Sequence, residues 1–210
     1  MTRPLNNKPT IRNGLGVFVL FLFCSSCQRQ DMTATEYFNH FNSFQSESYI
    51  EKSENGVRYK LQYRPKDFQA INALKGSGLI DRETVDNQMD SFADAQLYCL
   101  RIEVDSSGED ILKHNLTDQA DYFRRLELLN NAFPRMTWGM SGRDTIYTGF
   151  HHFERTYKLR PFVQVLFSLN GNESQNPDEI VFEDYIFNNG TEIKFEELNQ
   201  YHNRLPKLKL

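Results

Sequence analysis

The dipeptide Asn55-Gly56 lies between two short strand-like segments, and it constrains the fold more than any other local feature. Both residue types adopt positive φ readily, as the central positions of a tight β-hairpin turn require. After the turn, apolar and polar side chains alternate strictly. One face carries Val57, Tyr59, Leu61 and Tyr63, and the other carries Arg58, Lys60, Gln62 and Arg64. One buried and one wet face are typical of an antiparallel sheet, so this region predicts a hairpin within such a sheet.

The rest of the chain contains both helix and strand patterns. Helices are predicted from an N-cap at Thr33 or Thr35 through Phe44, at about 66–74 and 82–93, and from Thr117 to just before Pro134. The apolar stripes of the first and last of these contain Tyr37, Phe38, Phe41 and Phe44, and Tyr122, Phe123, Leu126 and Leu129. Strands are predicted at 97–104, 136–140, 145–155, 161–169, 180–187 and 191–195. We expect an α+β fold with a mostly antiparallel β-sheet, or a sandwich-like form of it, decorated by several short helices.

The N-terminus has the composition of an export signal. Basic residues precede an apolar run at 14–23, and small residues lead to Cys27. These parts make up a secretory signal peptide, and the run is shorter than the roughly 20 apolar residues of a transmembrane helix. Ser25 and Ser26 directly before Cys27 resemble the lipobox of bacterial lipoproteins, in which the cysteine is acylated and becomes the new N-terminus.

This interpretation predicts a lipoprotein signal peptide at 1–26, a lipid anchor with a short linker at 27–33 and a single globular domain at 34–210. Cleavage after residue 26 leaves 184 of the 210 residues, a length that suits one domain. Cleavage removes Cys24 and acylation blocks Cys27, so Cys99 is the only remaining thiol. We therefore expect no internal disulfide. The alternative for Cys24 and Cys27 is a redox C-x-x-C, which needs a folded domain around it.

Charge limits the partners of the mature chain. The full chain carries 24 basic and 28 acidic residues, and losing three basic signal residues changes its net charge from −4 to −7. An acidic domain without a Lys/Arg cluster argues against nucleic-acid binding. The expected partners are the membrane, through the lipid on Cys27, and a protein or glycan of the envelope. Gln28 follows the cysteine, which in lipoproteins implies the outer membrane; we expect the domain to face the periplasm, with the cell surface as the alternative.

The densest group of candidate site residues lies at 151–155. On a strand, His152 and Glu154 share a face, where they could ligate a metal or act as a base with its orienting carboxylate. A zinc site needs at least a third ligand, and no other histidine has a supporting spacing. A ladder of His, Glu and Arg pairing across strands explains the same residues without chemistry. We therefore predict no catalytic residue and no cofactor, with His152 and Glu154 as weak metal candidates.

The mature chain as a whole resembles small lipoproteins of Gram-negative envelopes that have no agreed activity. The resemblance depends on Cys27, on 152–155 followed by Pro161, and on the C-terminal stretch 193–208. It implies a location rather than a reaction. We expect a lipid-anchored envelope protein with a non-enzymatic binding or structural role. The alternatives are a metal-dependent or acid–base hydrolase centred on His152 and Glu154, and a periplasmic immunity-type inhibitor.

Overall fold

A capping box joins the first described strand to the first helix. The Thr33 hydroxyl accepts from the Glu36 backbone N–H (3.4 Å), and the Glu36 carboxylate accepts from the Thr33 backbone N–H (3.0 Å), which satisfies two donors at the helix start. The computed structural model describes residues 30–76, 80–92, 95–104, 110–155, 160–171 and 176–210. Residues 31–33, expected to belong to the linker, form a strand of the fold.

Strands and short helices follow one another along the chain. In order they are β1 (Asp31–Thr33), α1 (Ala34–Asn42), β2 (Ile50–Glu54), β3 (Val57–Tyr63), α2 (Lys66–Leu74), α3 (Arg82–Asp90), β4 (Gln96–Val104), α4 (Gln119–Glu127), α5 (Phe133–Met136), β5 (Thr137–Ser141), β6 (Asp144–Glu154), β7 (Phe162–Leu169), β8 (Glu179–Asp184), β9 (Thr191–Phe195), α6 (Leu198–Arg204) and β10 (Lys207–Lys209). A π-helical turn, Leu128–Ala132, connects α4 to α5. Within the described ranges, no helix is long and apolar enough to cross a membrane.

Eight of the described strands form one sheet, in the order β2-β3-β4-β7-β6-β5-β8-β9, with every neighbouring pair antiparallel. The two edge strands of this sheet, β2 and β9, approach each other. Lys52 of β2 forms an ion pair with Glu196 (3.5 Å), which lies just after β9. The sheet is thus curled into a nearly closed barrel. β1 and β10 form a small parallel pair beside it. The expected α+β class with a mostly antiparallel sheet is confirmed.

The hairpin prediction is also confirmed. Asn55 and Gly56 have φ values of 50° and 79°, and they join β2 to β3 in antiparallel register. The alternation of β3 buries Val57, Tyr59 and Leu61 in the core. Aromatic rings fill much of the interior: Phe133 lies 5.5 Å from Phe167 and 5.8 Å from Phe182, measured between ring centroids.

Three helix predictions need correction. α1 ends at Asn42, so Phe44 lies beyond it, with a φ of 51°. Phe123 is 58% exposed rather than part of the buried stripe. The helical path also continues through Pro134 to Met136, because Pro134 occupies the first turn of α5, where a missing N–H removes no helical hydrogen bond.

Candidate functional site

A cavity of about 650 Å³ lies on the outer face of the sheet, where α2 sits beside β4, β7 and β6. Its size is within the range of small-molecule sites. The residues that line it are Asn42, Arg64, Phe68, Gln69, Asn72, Ala73, Phe92, Leu97, Cys99, Arg101, His152, Glu154, Arg160, Gln164 and Leu166.

Two rows of directly opposed residues cross the sheet beneath this cavity. Their register is Arg101–Gln164–Glu154 in one row and Cys99–Leu166–His152 in the next. Opposed residues in neighbouring strands point to the same face, so side chains from β4, β7 and β6 converge there. Both residues singled out from the sequence, His152 and Glu154, therefore line the cavity.

A bulge in β6 determines which residues face the cavity. Thr148 is opposite Leu169, whereas His151 is opposite Phe167, so β6 gains one residue relative to β7 between these two pairs. One extra residue reverses the inside–outside alternation of a strand. Before the bulge the even-numbered Thr148 is buried; after it Phe153 is buried, and His152 and Glu154 are exposed.

Arg101 of β4 occupies the centre of the charged group. Its guanidinium lies 3.7 Å from the ring centroid of Phe44 and 4.0 Å from that of Phe162. Such stacking on two rings is favourable and restricts the side chain. Burial, with the like charges of Arg64 and Arg160, lowers the pKa of Arg101, while the Cys99 and Glu103 groups act in the opposite direction.

Gln164 connects Arg101 to Glu154. With its amide nitrogen toward Glu154, Gln164 donates to Glu154 Oε2 (3.1 Å), and its oxygen accepts from Arg101 Nη2 (3.1 Å). Both ends of the amide are then paired, as a largely buried amide requires. The row across the sheet is thus a chain of guanidinium, amide and carboxylate groups. Such a chain is similar to the cross-strand ladder of polar side chains that accounts for these residues without catalysis.

Two further guanidiniums flank Arg101. Arg64, just after β3, packs over the Phe68 ring at 4.7 Å and donates through Nη1 to the Phe41 carbonyl (3.4 Å). Its Nε is buried and has no acceptor among the described residues. Arg160, before β7, lies 5.6 Å from the Phe162 ring centroid.

No carboxylate in the described ranges neutralises the charges of these three arginines locally. Among the described residues, Arg64, Arg101 and Arg160 have no carboxylate within ion-pair distance. Glu103, the next carboxylate along β4, is already paired with Lys60 (2.5 Å) and Arg58 (3.1 Å). Of the described residues that line the cavity, only Glu154 is acidic, so the cavity has a formal charge of about +2 with His152 neutral.

Cys99 lies in the cavity floor but is not set up as a nucleophile. Burial raises the pKa of its thiol, and the neighbouring Arg64 and Arg101 only partly oppose that shift. A buried thiol with a raised pKa is a weak nucleophile, because the thiolate is the reactive form.

In the part of the chain that the structure describes, the geometry around His152 offers no metal centre. Among the described residues, no group of three or more His, Cys, Asp and Glu side chains is placed to hold a metal ion. Within the same ranges, no side chain forms a hydrogen bond with His152. The other histidines lie elsewhere; His202 of α6, for example, packs against Tyr63 with 4.5 Å between the ring centroids.

The arginines are the site residues that the sequence interpretation missed. The alternation of β3 predicts Arg64 on the wet face of its strand, and α1 and α2 partly cover that face, through Phe41 and Phe68. The alternation of β4 does place Arg101 on the polar face, but nothing local indicates that Arg64 and Arg160 come near it. Only the strand order, with β4 between β3 and β7, brings these three segments together.

A second cavity, of about 750 Å³, lies between the β2–β3 turn, the start of α4 and the β8–β9 connection. Its arginines are already paired: Asp121 accepts from Arg124 (2.6 Å) and Arg125 (2.8 Å). Arg125 also donates to the His114 carbonyl (2.6 Å). These contacts hold α4 and its preceding loop together, so this cavity is the weaker candidate for a ligand.

The predicted lipidation site, Cys27, lies outside the described residues. The described chain begins at residue 30, and β1 pairs with β10 from Asp31 onward. Comparisons of the chain with protein-family models, curated proteins and solved structures found no match. Function therefore has to be inferred from the residues and geometry of this chain.

Proposed function

We propose that this protein is a lipid-anchored protein of the Gram-negative cell envelope that binds a small, negatively charged ligand in the cavity beside α2, without catalysing a reaction. One observation carries the binding proposal. Three guanidiniums, from Arg64, Arg101 and Arg160, line a cavity in which Glu154 is the only acidic group among the described residues. Like charges held close together, with no carboxylate of the described residues within ion-pair distance, are unfavourable, and an anionic ligand removes that cost.

The anchoring proposal is supported by the N-terminal pattern. Lipidation of Cys27 would attach several acyl chains, and each buried methylene contributes about 0.8 kcal/mol, so the attachment would be stable. Only residues 28–30 separate Cys27 from β1. The folded domain would therefore lie close to the membrane surface, with outer-membrane attachment and a periplasm-facing domain as the proposed location.

Binding is favoured over catalysis by the state of the groups in the cavity. The Cys99 thiol has a raised pKa, and His152 has no orienting hydrogen bond among the described residues. A catalytic base works with a nucleophile within reach and a partner that fixes its orientation. The arginines need no such arrangement to hold an anion.

An acid–base hydrolase is the second candidate, and one observation favours it. His152 and Glu154 line the same cavity as the three arginines, so a bound anion would lie near both. In that case His152→Gln would abolish turnover while ligand binding persisted. In a binding protein, the same variant changes affinity and there is no turnover to lose.

The test uses the full-length chain expressed in a Gram-negative host. We expect mass spectrometry to show an acylated Cys27 with residues 1–26 removed, and Cys27→Ala to leave the membrane fraction while remaining folded. We expect native mass spectrometry of the detergent-solubilised protein to detect a small bound anion. Arg101→Gln should lose it, and Arg143→Gln, which changes an exposed arginine of the β5–β6 turn, should keep it.

Three results would contradict this proposal: an unmodified Cys27 that retains its leader, a purified protein without any bound small molecule, or steady turnover of the bound ligand. The first result would contradict only the anchoring proposal, and the second would contradict only the ligand-binding proposal. The third would establish the hydrolase alternative in place of a binding role.

A further inference from the structure

We infer that the ligand of this cavity carries a phosphomonoester group, which the Arg64, Arg101 and Arg160 guanidiniums bind together. This inference rests on the proposed binding function and narrows it to one class of ligand. It concerns the anionic end of the ligand, and the organic remainder is recognised by a different part of the cavity.

The charge of the cavity matches a dianion. Three guanidiniums and the Glu154 carboxylate give a formal charge of about +2. Part of the Glu154 charge is already engaged by the Gln164 amide at 3.1 Å. A phosphomonoester carries a charge of about −1.5 to −2 at neutral pH, whereas a single carboxylate carries −1 and would leave the cavity cationic.

The directions of approach also favour a tetrahedral anion. The three arginines come from separate segments: Arg64 follows β3, Arg101 lies within β4, and Arg160 precedes β7. A carboxylate has two oxygens in one plane, and one guanidinium can satisfy both. A phosphate presents three oxygens in different directions, which suits donors that converge from different sides.

The central donor is already held in place before any ligand binds. Arg101 is stacked between the Phe44 and Phe162 rings, at 3.7 Å and 4.0 Å from the centroids. A side chain that is already immobilised loses less conformational entropy on binding. Phe44 reaches this position with a positive φ of 51°, an uncommon conformation for a bulky residue.

Arg64 supplies an unused donor. Its Nε is buried without an acceptor among the described residues, and its guanidinium is held over the Phe68 ring at 4.7 Å. A buried donor without a partner is unfavourable by about 1–3 kcal/mol. A phosphate oxygen in the cavity would satisfy it.

The remainder of the ligand has its own surface. Phe68 and Phe92 offer apolar contacts, and Gln69 and Asn72 offer amide groups. The volume of about 650 Å³ far exceeds that of a free phosphate ion, so we expect an organic phosphate to bind more tightly than inorganic phosphate.

The experiment measures binding by calorimetry with the full-length protein in detergent, at constant ionic strength. The probes are inorganic phosphate, phenyl phosphate, diphenyl phosphate and phenylacetate, and the variants are Arg101→Gln, Arg101→Lys and the control Arg143→Gln. We expect phenyl phosphate to bind at least tenfold more tightly than diphenyl phosphate or phenylacetate, and more tightly than inorganic phosphate. Arg101→Gln should weaken it at least tenfold and Arg101→Lys less, while Arg143→Gln should match the unmodified protein.

Equal or tighter binding of phenylacetate or diphenyl phosphate would overturn the inference, since a single negative charge would then suffice. So would phenyl phosphate binding that Arg101→Gln leaves unchanged in a protein shown to be folded by circular dichroism. If native mass spectrometry finds another bound anion while phenyl phosphate does not bind, the binding function stands and the phosphomonoester inference fails. If phenyl phosphate binds as expected but Cys27 is not acylated, the inference stands and the anchoring proposal fails.

Discussion

Tyr59 of β3 donates a 2.5 Å hydrogen bond to the Asp184 carboxylate at the end of β8, and both side chains are fully buried. Asn188 completes the group by donating to the same carboxylate (3.0 Å) and to the Tyr59 hydroxyl (2.6 Å). The other Asp184 oxygen accepts from the backbone N–H groups of Ile186 and Phe187. Because β3 and β8 are not neighbours in the sheet, this network holds together strands that share no backbone ladder.

Tyr59→Phe should therefore destabilise the fold by about 1–3 kcal/mol, since Asp184 and Asn188 each lose a buried partner. Urea unfolding followed by circular dichroism measures this difference. Tyr147→Phe is the matched control, because Tyr147 is 68% exposed, and its stability should change by less than about 0.5 kcal/mol. Equal effects of the two substitutions would show that the network does not stabilise the barrel.

Gly56→Ala should also destabilise the protein, for a purely conformational reason. Gly56 has a φ of 79°, and a Cβ built there meets no atom within 4 Å, so the substitution creates no clash. A left-handed conformation costs a residue with a Cβ about 1–2 kcal/mol. Gly56→Asn should recover part of that loss, because asparagine tolerates this conformation. A fully stable Gly56→Ala variant in urea unfolding would contradict the type of turn described here.

The sequence predicted those features of the fold that depend on local residues. The Asn55-Gly56 turn and the alternation of β3 follow from the preferences of neighbouring residues, and Thr33, which caps α1, is one of the two N-cap candidates in the sequence. The position of Phe44 was not predictable in this way, because a stripe of aromatic residues continues past the last residue whose backbone remains helical. The reason is tertiary: the Phe44 ring packs on Arg101, which is far from it in sequence.

The candidate site was predictable only in part. The spacing of His152 and Glu154 places them on one face, but the β6 bulge turns that face outward. Its local signal is Gly149, since a glycine inside a strand often marks a bulge, but a glycine alone does not show which way the following residues point. The convergence of Arg64, Arg101 and Arg160 depends on which strands become neighbours. That order is a property of the whole sheet, and no local pattern contains it.

His202 should make the stability of the fold depend on pH. Burial lowers the pKa of His202 from its ordinary value of 6.5 to about 4. Between these two values the unfolded chain binds a proton at this site that the folded chain does not. The free energy of unfolding should therefore be unaffected by His202 above pH 7 and fall as the pH drops from about 6.5 to 4, by on the order of 3 kcal/mol.

Urea unfolding at pH 7, 5.5 and 4.5 measures this effect, and His202→Gln tests its source. The variant should lose stability at pH 7, because the contacts of the ring with Tyr63 and Tyr98 are disturbed. Its stability should nevertheless fall less steeply with decreasing pH than that of the unmodified protein. His114→Gln, on the loop before α4, should keep the original slope. Parallel pH profiles for His202→Gln and the unmodified protein would assign the acid sensitivity to other groups.

Phe44→Leu should weaken phosphate binding with little loss of stability. Leucine retains most of the apolar volume, and such swaps usually change stability by less than about 1.5 kcal/mol. It lacks the ring face on which Arg101 rests at 3.7 Å, and this cation–π contact is worth about 0.5–2 kcal/mol. We therefore expect the affinity for phenyl phosphate, measured by calorimetry, to fall about two- to thirtyfold, because Arg101 is then stacked on the Phe162 ring alone and is held less firmly in the cavity.

The matched control is Phe123→Leu, which changes an aromatic side chain that is 58% exposed on α4. It should leave both stability and phenyl phosphate affinity unchanged. If Phe44→Leu instead binds phenyl phosphate as tightly as the unmodified protein, Phe44 does not position Arg101, and its positive φ has another cause. If affinity and stability fall together by the same free energy, the ring supports the fold as a whole. A loss of affinity with stability retained is the result that ties the conformation of Phe44 to the ligand site.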